Sequence, residues 1–337
     1  RAHKPDLIMV SNTGYGHSGP WSNFGAMASA LEPTHGTGAF MGYMEKGPDA
    51  RLSEGQVPNK MGNSYSDFMA TWTALGSLMA ALLRRARTGQ CQWIDLAMYQ
   101  TGTTVIGAGL LDYAFNGRRT QRIGNRHPVW SPHGVYPCQG YDQWVAIAAR
   151  NEEDWQAVCQ GMGMPELRSD PRFADPIERR CHQEDLDDII ATWTSGKTSY
   201  QVMNDLQDAG APAGAVLTAK QALTDPQYRN RGFFETVHNP PESDLRPKGY
   251  VGRGWKFSAS EAEIRGPAPR LGEANEYILR DLLGIDQTKL MSLADDWTIG
   301  DLPEGGGAPG AVPLEEQVEL GWIVEHDPGY LAELPPV

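Results

Sequence analysis

The sequence of 337 residues has few cysteines, no long apolar run and no excess of positive charge. The four cysteines, Cys91, Cys138, Cys159 and Cys181, lie far apart without a C-x-x-C spacing, so neither a zinc site nor a disulfide framework is indicated. The longest apolar stretches, such as residues 103–111, are interrupted by glycine and are too short to span a bilayer. Because no signal-peptide pattern opens the sequence either, we expect a cytoplasmic protein with free thiols and no membrane partner.

Positive charge is scarce, since 29 Lys and Arg residues stand against 42 Asp and Glu, for a formal net charge of −13 at pH 7. No basic run is long enough to follow a phosphate backbone, so nucleic acid is not an expected partner. What is present is a globular composition, with 40% hydrophobic and 21% charged residues. A chain of this length usually forms two domains, or one domain with a large insertion.

The first motif is a short apolar run followed by a glycine-rich turn. Residues 5–12, PDLIMVSN, have turn formers at both ends, as a buried strand of a parallel sheet would. Gly14, Gly16 and Gly19 then follow with the G-x-G-x-x-G spacing of a dinucleotide-binding turn. Pro20 comes next, no amphipathic helix opens there, and no acidic residue ends a second strand about 20 residues later. The pattern therefore argues against a nicotinamide dinucleotide site.

The clearest predicted element is a long amphipathic helix. Its large apolar residues recur every three or four positions and predict one broad buried face: Phe68, Trp72, Leu75, Met79 and Leu82. Ser66 or Asp67 suits the N-cap position, and Gly89 suits a left-handed C-terminal stop. Residues 92–98 then alternate enough to form a strand, and residues 99–116 predict a second helix.

The later part of the sequence predicts three further elements. A hairpin is expected around residues 140–142, and a helix that Asn151 caps and Gly161 closes follows it. A third element, a helix, is predicted at residues 274–283.

Asp67 allows two interpretations that the local pattern does not separate. As an N-cap, its carboxylate would stabilise the helix by about 1 kcal/mol and would have no chemical role. As a nucleophile, the same carboxylate would be held ionised and in one place by backbone N–H groups and by the positive end of the helix dipole.

A series of short motifs follows in a fixed order along residues 5–285. They are GYGHSGPW at 14–21, SD at 66–67, LLRRARTGQCQWIDLAM at 82–98, GN at 124–125, PHGVYPC at 132–138, WVAIA at 144–148, DPRF at 170–173, GAPAG at 210–214 and PAPRLGE at 267–273. Together they resemble the family III CoA-transferases, the group that contains formyl-CoA transferase and the carnitine-pathway transferase. No single motif is decisive, but a chance match of the whole series in order is hard to obtain.

The resemblance implies an α/β fold with a Rossmann-like large domain, a smaller α/β domain and an interlocked dimer. Residues 1–118 would be part of the large CoA-binding domain and residues 124–232 the small domain. Residues 233–285 would return to the large domain, and residues 286–337 would form a linker and a C-terminal tail. Within that last segment, the composition of residues 305–310, GGGAPG, is typical of a flexible linker.

The resemblance also implies the site residues. In that family the catalytic aspartate precedes the long helix that ends in a Thr-Gly-x-x-Gln turn, and a gapless count back from that turn reaches Asp67. The same count places Met98 near the thiol end of coenzyme A, while Tyr15, Gly14 and Gly16 fall on the loop beside the acyl group. The amides of the two glycines are candidate donors to an oxyanion. No metal and no cofactor are implied, because coenzyme A enters as a substrate thioester.

The implied reaction moves coenzyme A from an acyl-CoA to a free carboxylic acid. Asp67 would attack the thioester carbonyl to form a mixed anhydride, and the released thiolate would then form an aspartyl-CoA thioester. A homodimer, or a pairing with a related subunit, is the expected assembly.

The sequence departs from the family in two respects. The family's N-terminal segment has no counterpart, so we expect it to be truncated or supplied by another chain. The glycine run that covers the intermediate in formyl-CoA transferase is absent from residues 124–137, which argues against formyl and oxalate as substrates.

Two alternative functions remain. One alternative is a non-catalytic subunit, against which the retained Asp67 argues. The other is an α-methylacyl-CoA racemase, which needs a histidine near residues 24–28, where the chain has FGAMA.

Overall fold

The computed structural model describes four stretches of the chain, residues 4–42, 65–240, 247–302 and 312–333. They belong to two compact units, one that ends at Val216 and one that begins at Leu217. No helix in these four stretches is both long and apolar enough to cross a bilayer. The segment predicted as a flexible linker, 305–310, lies outside the described residues, and the four-part domain division stays a prediction.

The first half of the first unit is a parallel two-stranded sheet with helices beside it. Its elements are β1 (Met9–Thr13), α1 (Ala28–Thr34), α2 (Tyr65–Thr88), β2 (Trp93–Ala97), α3 (Met98–Thr103) and α4 (Gly107–Asn116). β1 and β2 are parallel, with Met9 opposite Trp93 and Thr13 opposite Ala97. Both predicted strands are confirmed, and their carboxyl ends meet at one edge of the sheet.

Helix α2 runs antiparallel to the two strands. It packs against α1, α3, β1 and β2, and near its carboxyl end Arg85 Nη1 donates to the carbonyl of Asp6, just before β1, at 3.1 Å. A helix of 24 residues is about 36 Å long, whereas a five-residue strand spans about 17 Å. The amino end of α2, with Asp67, therefore lies towards the carboxyl edge of the sheet.

The large apolar face of α2 is not buried, so that prediction is wrong for this chain. Four of its five large residues are 45% to 58% exposed: Phe68, Trp72, Leu75 and Met79. The buried residues of α2 are small ones, Ser66, Ala70 and Ala81, and they allow the neighbouring backbones to approach closely. The periodicity identified the apolar face correctly, but it carries no information on whether this chain supplies an element to cover it.

Two predicted helix boundaries are also wrong. Tyr65, Ser66 and Asp67 all lie within helix α2, so neither Ser66 nor Asp67 is its N-cap. The predicted helix 99–116 is divided into α3 and α4 by a 3-10 turn at Thr104–Ile106, where consecutive β-branched side chains disfavour a regular α-helix. The predicted stop at Gly89 is confirmed, since this residue has a φ of +68° that favours glycine.

The second half of the first unit is a three-stranded antiparallel sheet in the order β3-β4-β5. Its elements are β3 (His133–Pro137), β4 (Trp144–Ala148), α5 (Glu152–Gly161), α6 (Pro176–Cys181), α7 (Gln183–Ser195), α8 (Ser199–Asp208) and β5 (Ala213–Val216). The predicted β3–β4 hairpin is confirmed. So is the Asn151 cap of α5, because its Oδ1 accepts the N–H of Asp154 at 2.8 Å.

The main apolar core lies in this second half. Side chains of the helices converge on the sheet face, and several are fully buried: Val145, Trp155, Phe173, Leu186, Ile190 and Leu206. Burying a large apolar side chain stabilises the fold by roughly 1.5–3 kcal/mol. The three-stranded sheet therefore has a core of its own.

The second unit has mostly short elements. They are α9 (Ala219–Thr224), α10 (Pro226–Asn230), β6 (Phe234–Val237), β7 (Lys248–Val251), α11 (Gln287–Asp295), α12 (Leu314–Glu319) and α13 (Tyr330–Glu333). β6 and β7 pair antiparallel. The helix predicted at 274–283 has π-helical geometry over Tyr277–Leu282.

Candidate active site

The loop after β1 is fastened to the start of α3. The carbonyl of Gly14 accepts the N–H of Tyr99 at 2.9 Å, and an added Cβ at Gly14 would lie 2.2 Å from Cβ of Ala26. Gly16 has a φ of +90°, and its added Cβ would lie 3.4 Å from Cβ of Ala97. Both positions therefore require glycine, one because of space and the other because of backbone conformation.

Two amides of this loop are already bound within the chain. The N–H of Gly16 donates to Oγ1 of Thr13 at 3.0 Å, and the N–H of His17 donates to the Asp95 carboxylate at 3.1 and 3.2 Å. An oxyanion role for Gly16 would require its bond to Thr13 to be exchanged. That role stays a prediction, as it does for Gly14.

Asp95 is a site residue that the sequence pattern did not reveal. It lies on β2 and holds the loop of the neighbouring strand across 78 positions of sequence. Its residue type could have indicated this role, because aspartate is uncommon in strands.

Four aromatic rings form an apolar surface at this edge of the sheet. Tyr15 lies at the centre, with its ring centroid 5.7 Å from Trp21, 6.2 Å from Phe24 and 5.5 Å from Tyr99. Trp21 and Phe24 are 43% and 60% exposed. The cluster thus offers a broad apolar surface that an acyl or thioester chain can contact.

Met98 lies beside the same loop. It is the first residue of α3 and follows Ala97, which pairs with Thr13 in the parallel sheet. The structure therefore brings Met98 together with Gly14, Tyr15 and Gly16 at the carboxyl edge, where ligands of open α/β sheets commonly bind.

Asp67 lies in the first turn of α2 and is partly exposed. Its carboxylate makes no hydrogen bond within the described stretches, although its backbone carbonyl accepts from Thr71 at 2.8 Å. The direction of α2 places Asp67 on the same side of the sheet as the loop and Met98. Its carboxylate is consequently accessible, and it has no partner among the residues that the structure describes.

A buried polar group lies against the first turn of α2. Glu32, on α1, is 2% exposed, and its Oε1 accepts the N–H of Tyr65. Oε2 of Glu32, Oγ of Ser66 and both ring nitrogens of His35 are buried and have no hydrogen-bond partner within the described stretches. Burial lowers the pKa of His35, and the charge of Glu32 acts in the opposite direction. Nothing in the sequence pattern indicated this group.

A cleft of about 560 Å³ lies elsewhere, on the three-stranded sheet. Its lining includes Asn125, Arg126, His133 and Gly214 but no carboxylate, so it offers no acidic nucleophile. Nor does any trio of His, Cys, Asp or Glu side chains in the described part of the chain form a metal site. The sheet edge near Asp67 offers a carboxylate nucleophile, and this cleft does not.

The structure is an α/β fold with a carboxylate in the first turn of a long helix and a glycine-rich loop at the carboxyl edge of two parallel strands. The sequence identifies the family, because the model of CoA-transferase family III matches residues 1–275. The chain belongs to this family and is a CoA-transferase.

Its relatives agree with this assignment. The succinyl-CoA–D-citramalate CoA-transferase of Chloroflexus aurantiacus is 34% identical over 293 residues, which cover 87% of this chain and 69% of the relative. The succinate–glutarate CoA-transferase of Agrobacterium fabrum is 27% identical, with 86% and 68% covered. Among solved structures, a CaiB/BaiF family protein from Brucella suis superposes with a TM-score of 0.70 at 26% identity, over 82% of this chain and 68% of that protein.

Proposed function

We propose that Asp67 is the nucleophile of a CoA transfer between two carboxylic acids. The observation that carries this proposal is the position of its carboxylate. It is accessible, has no partner among the described residues, and lies in the first turn of a long helix whose amino end lies at the edge with the Gly14–Gly16 loop. The N–H groups of the first turn and the helix dipole favour the ionised form that a carboxylate nucleophile needs.

The proposed reaction keeps an energy-rich bond at every stage. The Asp67 carboxylate attacks the thioester carbonyl of the donor, the C–S bond breaks, and a mixed anhydride and CoA thiolate result. The thiolate attacks the aspartyl carbonyl, which releases the donor acid as a carboxylate and leaves an aspartyl-CoA thioester. The acceptor carboxylate then reverses both steps. Such a route requires that water be excluded from the intermediates.

For the substrates, we propose succinyl-CoA as the donor and a dicarboxylic acid as the acceptor. The names of the two relatives described above include succinyl-CoA with D-citramalate and succinate with glutarate. All of these are dicarboxylic acids or their thioesters. The absence of a glycine run in residues 124–137 also supports an acid larger than formate.

We further propose that the working enzyme is an assembly with a second copy or a related subunit. The support is the exposed apolar face of α2, where Phe68, Trp72, Leu75 and Met79 lie together along one side. Contiguous apolar surfaces of this kind commonly mark protein–protein contacts.

The decisive test is Asp67→Asn. With succinyl-CoA and ¹³C-labelled succinate, the native enzyme should exchange label into the thioester, and we expect the variant to lose about 10⁴-fold or more in rate. Hydroxylamine added with succinyl-CoA should convert Asp67 to a hydroxamate, which peptide mass spectrometry detects. Asp142→Asn, in the β3–β4 hairpin, is the matched control. Undiminished exchange in Asp67→Asn would refute the proposal.

The same preparation separates the racemase alternative. A racemase exchanges the α-proton of a 2-methylacyl-CoA with D₂O and needs no carboxylic acid acceptor. We expect no deuterium to enter the α-carbon. Deuterium uptake without CoA exchange would favour the racemase instead.

A further inference from the structure

A buried glutamate lies directly behind the proposed nucleophile. Tyr65 is the first residue of α2 that the structure describes, and its N–H donates to a side chain outside that helix. Here the acceptor is Glu32, which lies on α1, 33 positions earlier.

This glutamate is in an unfavourable place for a charge. It is 2% exposed, its Oε2 has no hydrogen-bond partner, and the ion pairs of the described residues do not include it. Burial of a carboxylate with incomplete hydrogen bonding destabilises a fold. The positive end of the α2 dipole and the Tyr65 N–H are the features that offset this cost.

The position of Asp67 depends on this contact. Asp67 is two residues beyond Tyr65 in the same helical turn, so a displacement of the Tyr65 N–H moves the nucleophile with it. Burial holds the inner side of the turn, where Ser66 and Ala70 are 0% exposed, but Ser66 Oγ makes no hydrogen bond to any described residue. Among the described residues, the bond between Glu32 and Tyr65 is therefore the polar contact that holds this turn from outside the helix.

We propose that Glu32 is a positioning residue for CoA transfer, because its carboxylate anchors the first turn of α2 and so sets where Asp67 meets the thioester. This inference rests on the proposed function of Asp67. Glu32 does not touch the substrate. A misplacement of a reacting group by about 1 Å can lower a rate about 100-fold, so the expected consequence is kinetic.

Two substitutions test the anchor. Glu32→Leu removes the acceptor at similar size, and we expect kcat for the succinyl-CoA and ¹³C-succinate exchange to fall about 100-fold, with KM changed less than about 3-fold. Glu32→Gln keeps an oxygen that can accept the Tyr65 N–H, and it should retain kcat within about 5-fold of native. Asn151→Ala, which removes the cap of α5, is the matched control and should leave kcat unchanged.

A third variant keeps the test decisive if Glu32→Leu does not fold. Tyr65→Pro removes the N–H that Glu32 accepts, and we expect a loss of kcat similar to that of Glu32→Leu. In the Tyr65→Pro background, Glu32→Leu should lower kcat no further, because the bond is already absent.

The outcomes separate this inference from the proposed function. If Asp67→Asn abolishes exchange while folded Glu32→Leu and Tyr65→Pro keep native kcat, the anchor is refuted and the nucleophile stands. If Glu32→Gln is as impaired as Glu32→Leu, an accepted hydrogen bond is not what Glu32 supplies, and the inference is also wrong. Exchange that persists in Asp67→Asn would overturn both.

Discussion

The two halves of the first unit differ in how completely they bury their own apolar residues. In residues 124–216, Trp155, Phe173 and Leu206 are at most 1% exposed. In residues 4–116, the large apolar residues of α2 are about half exposed, and Phe115 of α4 is 80% exposed. One half therefore has its own core, whereas the other half has apolar surface that nothing in the described chain covers.

Their buried polar groups differ in the same way. In the half with its own core, the buried cation Arg179 pairs with Glu152, donates to the carbonyls of Ser131 and Phe173, and lies 5.2 Å from the Trp155 ring. The atoms left without a partner there are neutral N–H groups of Trp155 and Gln183.

In the half with the candidate site, the atoms without a partner belong to ionisable side chains, Glu32 and His35, and to Ser66. Incompletely satisfied buried groups are costly and need an explanation where they occur. Local rules of good packing are most often broken at functional sites. The comparison thus separates a half with a complete apolar core from a half that carries the candidate site.

The largest expected effect on stability comes from a pair of leucine-to-alanine substitutions, one in each half of the first unit. Leu206→Ala removes a fully buried side chain and should lower the free energy of unfolding by about 2–5 kcal/mol. Leu75→Ala, on the exposed face of α2 at 45% exposure, should lower it by less than about 1 kcal/mol at low protein concentration. Urea unfolding followed by circular dichroism measures both.

The α2 variant should act on association instead. If a second copy covers this face, Leu75→Ala will raise the dissociation constant measured by sedimentation velocity, and Leu206→Ala will not do so while it remains folded. A loss of stability in Leu75→Ala equal to that of Leu206→Ala, at a concentration where the protein is monomeric, would contradict the comparison.

The pH dependence of stability should also divide between the halves. Burial, supported by the nearby Asp187, raises the pKa of Tyr136 well above 10.0, and burial raises the pKa of Cys159 to about 12. The unfolded chain ionises these groups first, so stability should fall as pH rises above about 9. Burial lowers the pKa of His35 below 6.5. The unfolded chain then takes up the proton first, and stability should fall as pH drops below about 6.5.

The fall in stability at high pH is the alkaline limb, and the fall at low pH is the acid limb. Urea unfolding midpoints measured at several pH values resolve the two limbs. Cys159→Ala should flatten the alkaline limb and leave the acid limb unchanged. His35→Gln should flatten the acid limb and leave the alkaline limb unchanged. If either variant altered both limbs equally, the two sets of buried groups would not be independent.

What the sequence predicted was mostly local. The stop of α2 at Gly89, the hairpin between β3 and β4, and the Asn151 cap each depend on residues within a few positions of one another. These predictions are confirmed. The resemblance to a family then selected Asp67, which the local pattern had left between a cap and a nucleophile.

What the sequence did not predict depends on distant contacts. The bond from His17 to Asp95 joins residues 78 positions apart, and the anchor of α2 comes from Glu32 on another helix. The exposed face of α2 has the same origin, because periodicity marks an apolar face without naming what covers it. Each of these features requires the strands and helices to be placed in space.

The smallest expected effect concerns the cap of α5. An adjacent residue supplies this cap, whereas the Tyr65 N–H of α2 donates to a side chain of another helix. Asn151 caps α5 from the adjacent position, so Asn151→Ala should lower the free energy of unfolding by about 1 kcal/mol, while Asn151→Asp keeps an acceptor and should stay within a few tenths of a kcal/mol of native. Neither should change the exchange rate, because α5 packs into the core of the three-stranded sheet and not against α2. A tenfold slower exchange in folded Asn151→Ala would mean that caps in both halves govern the chemistry, and the distinction between them would fail.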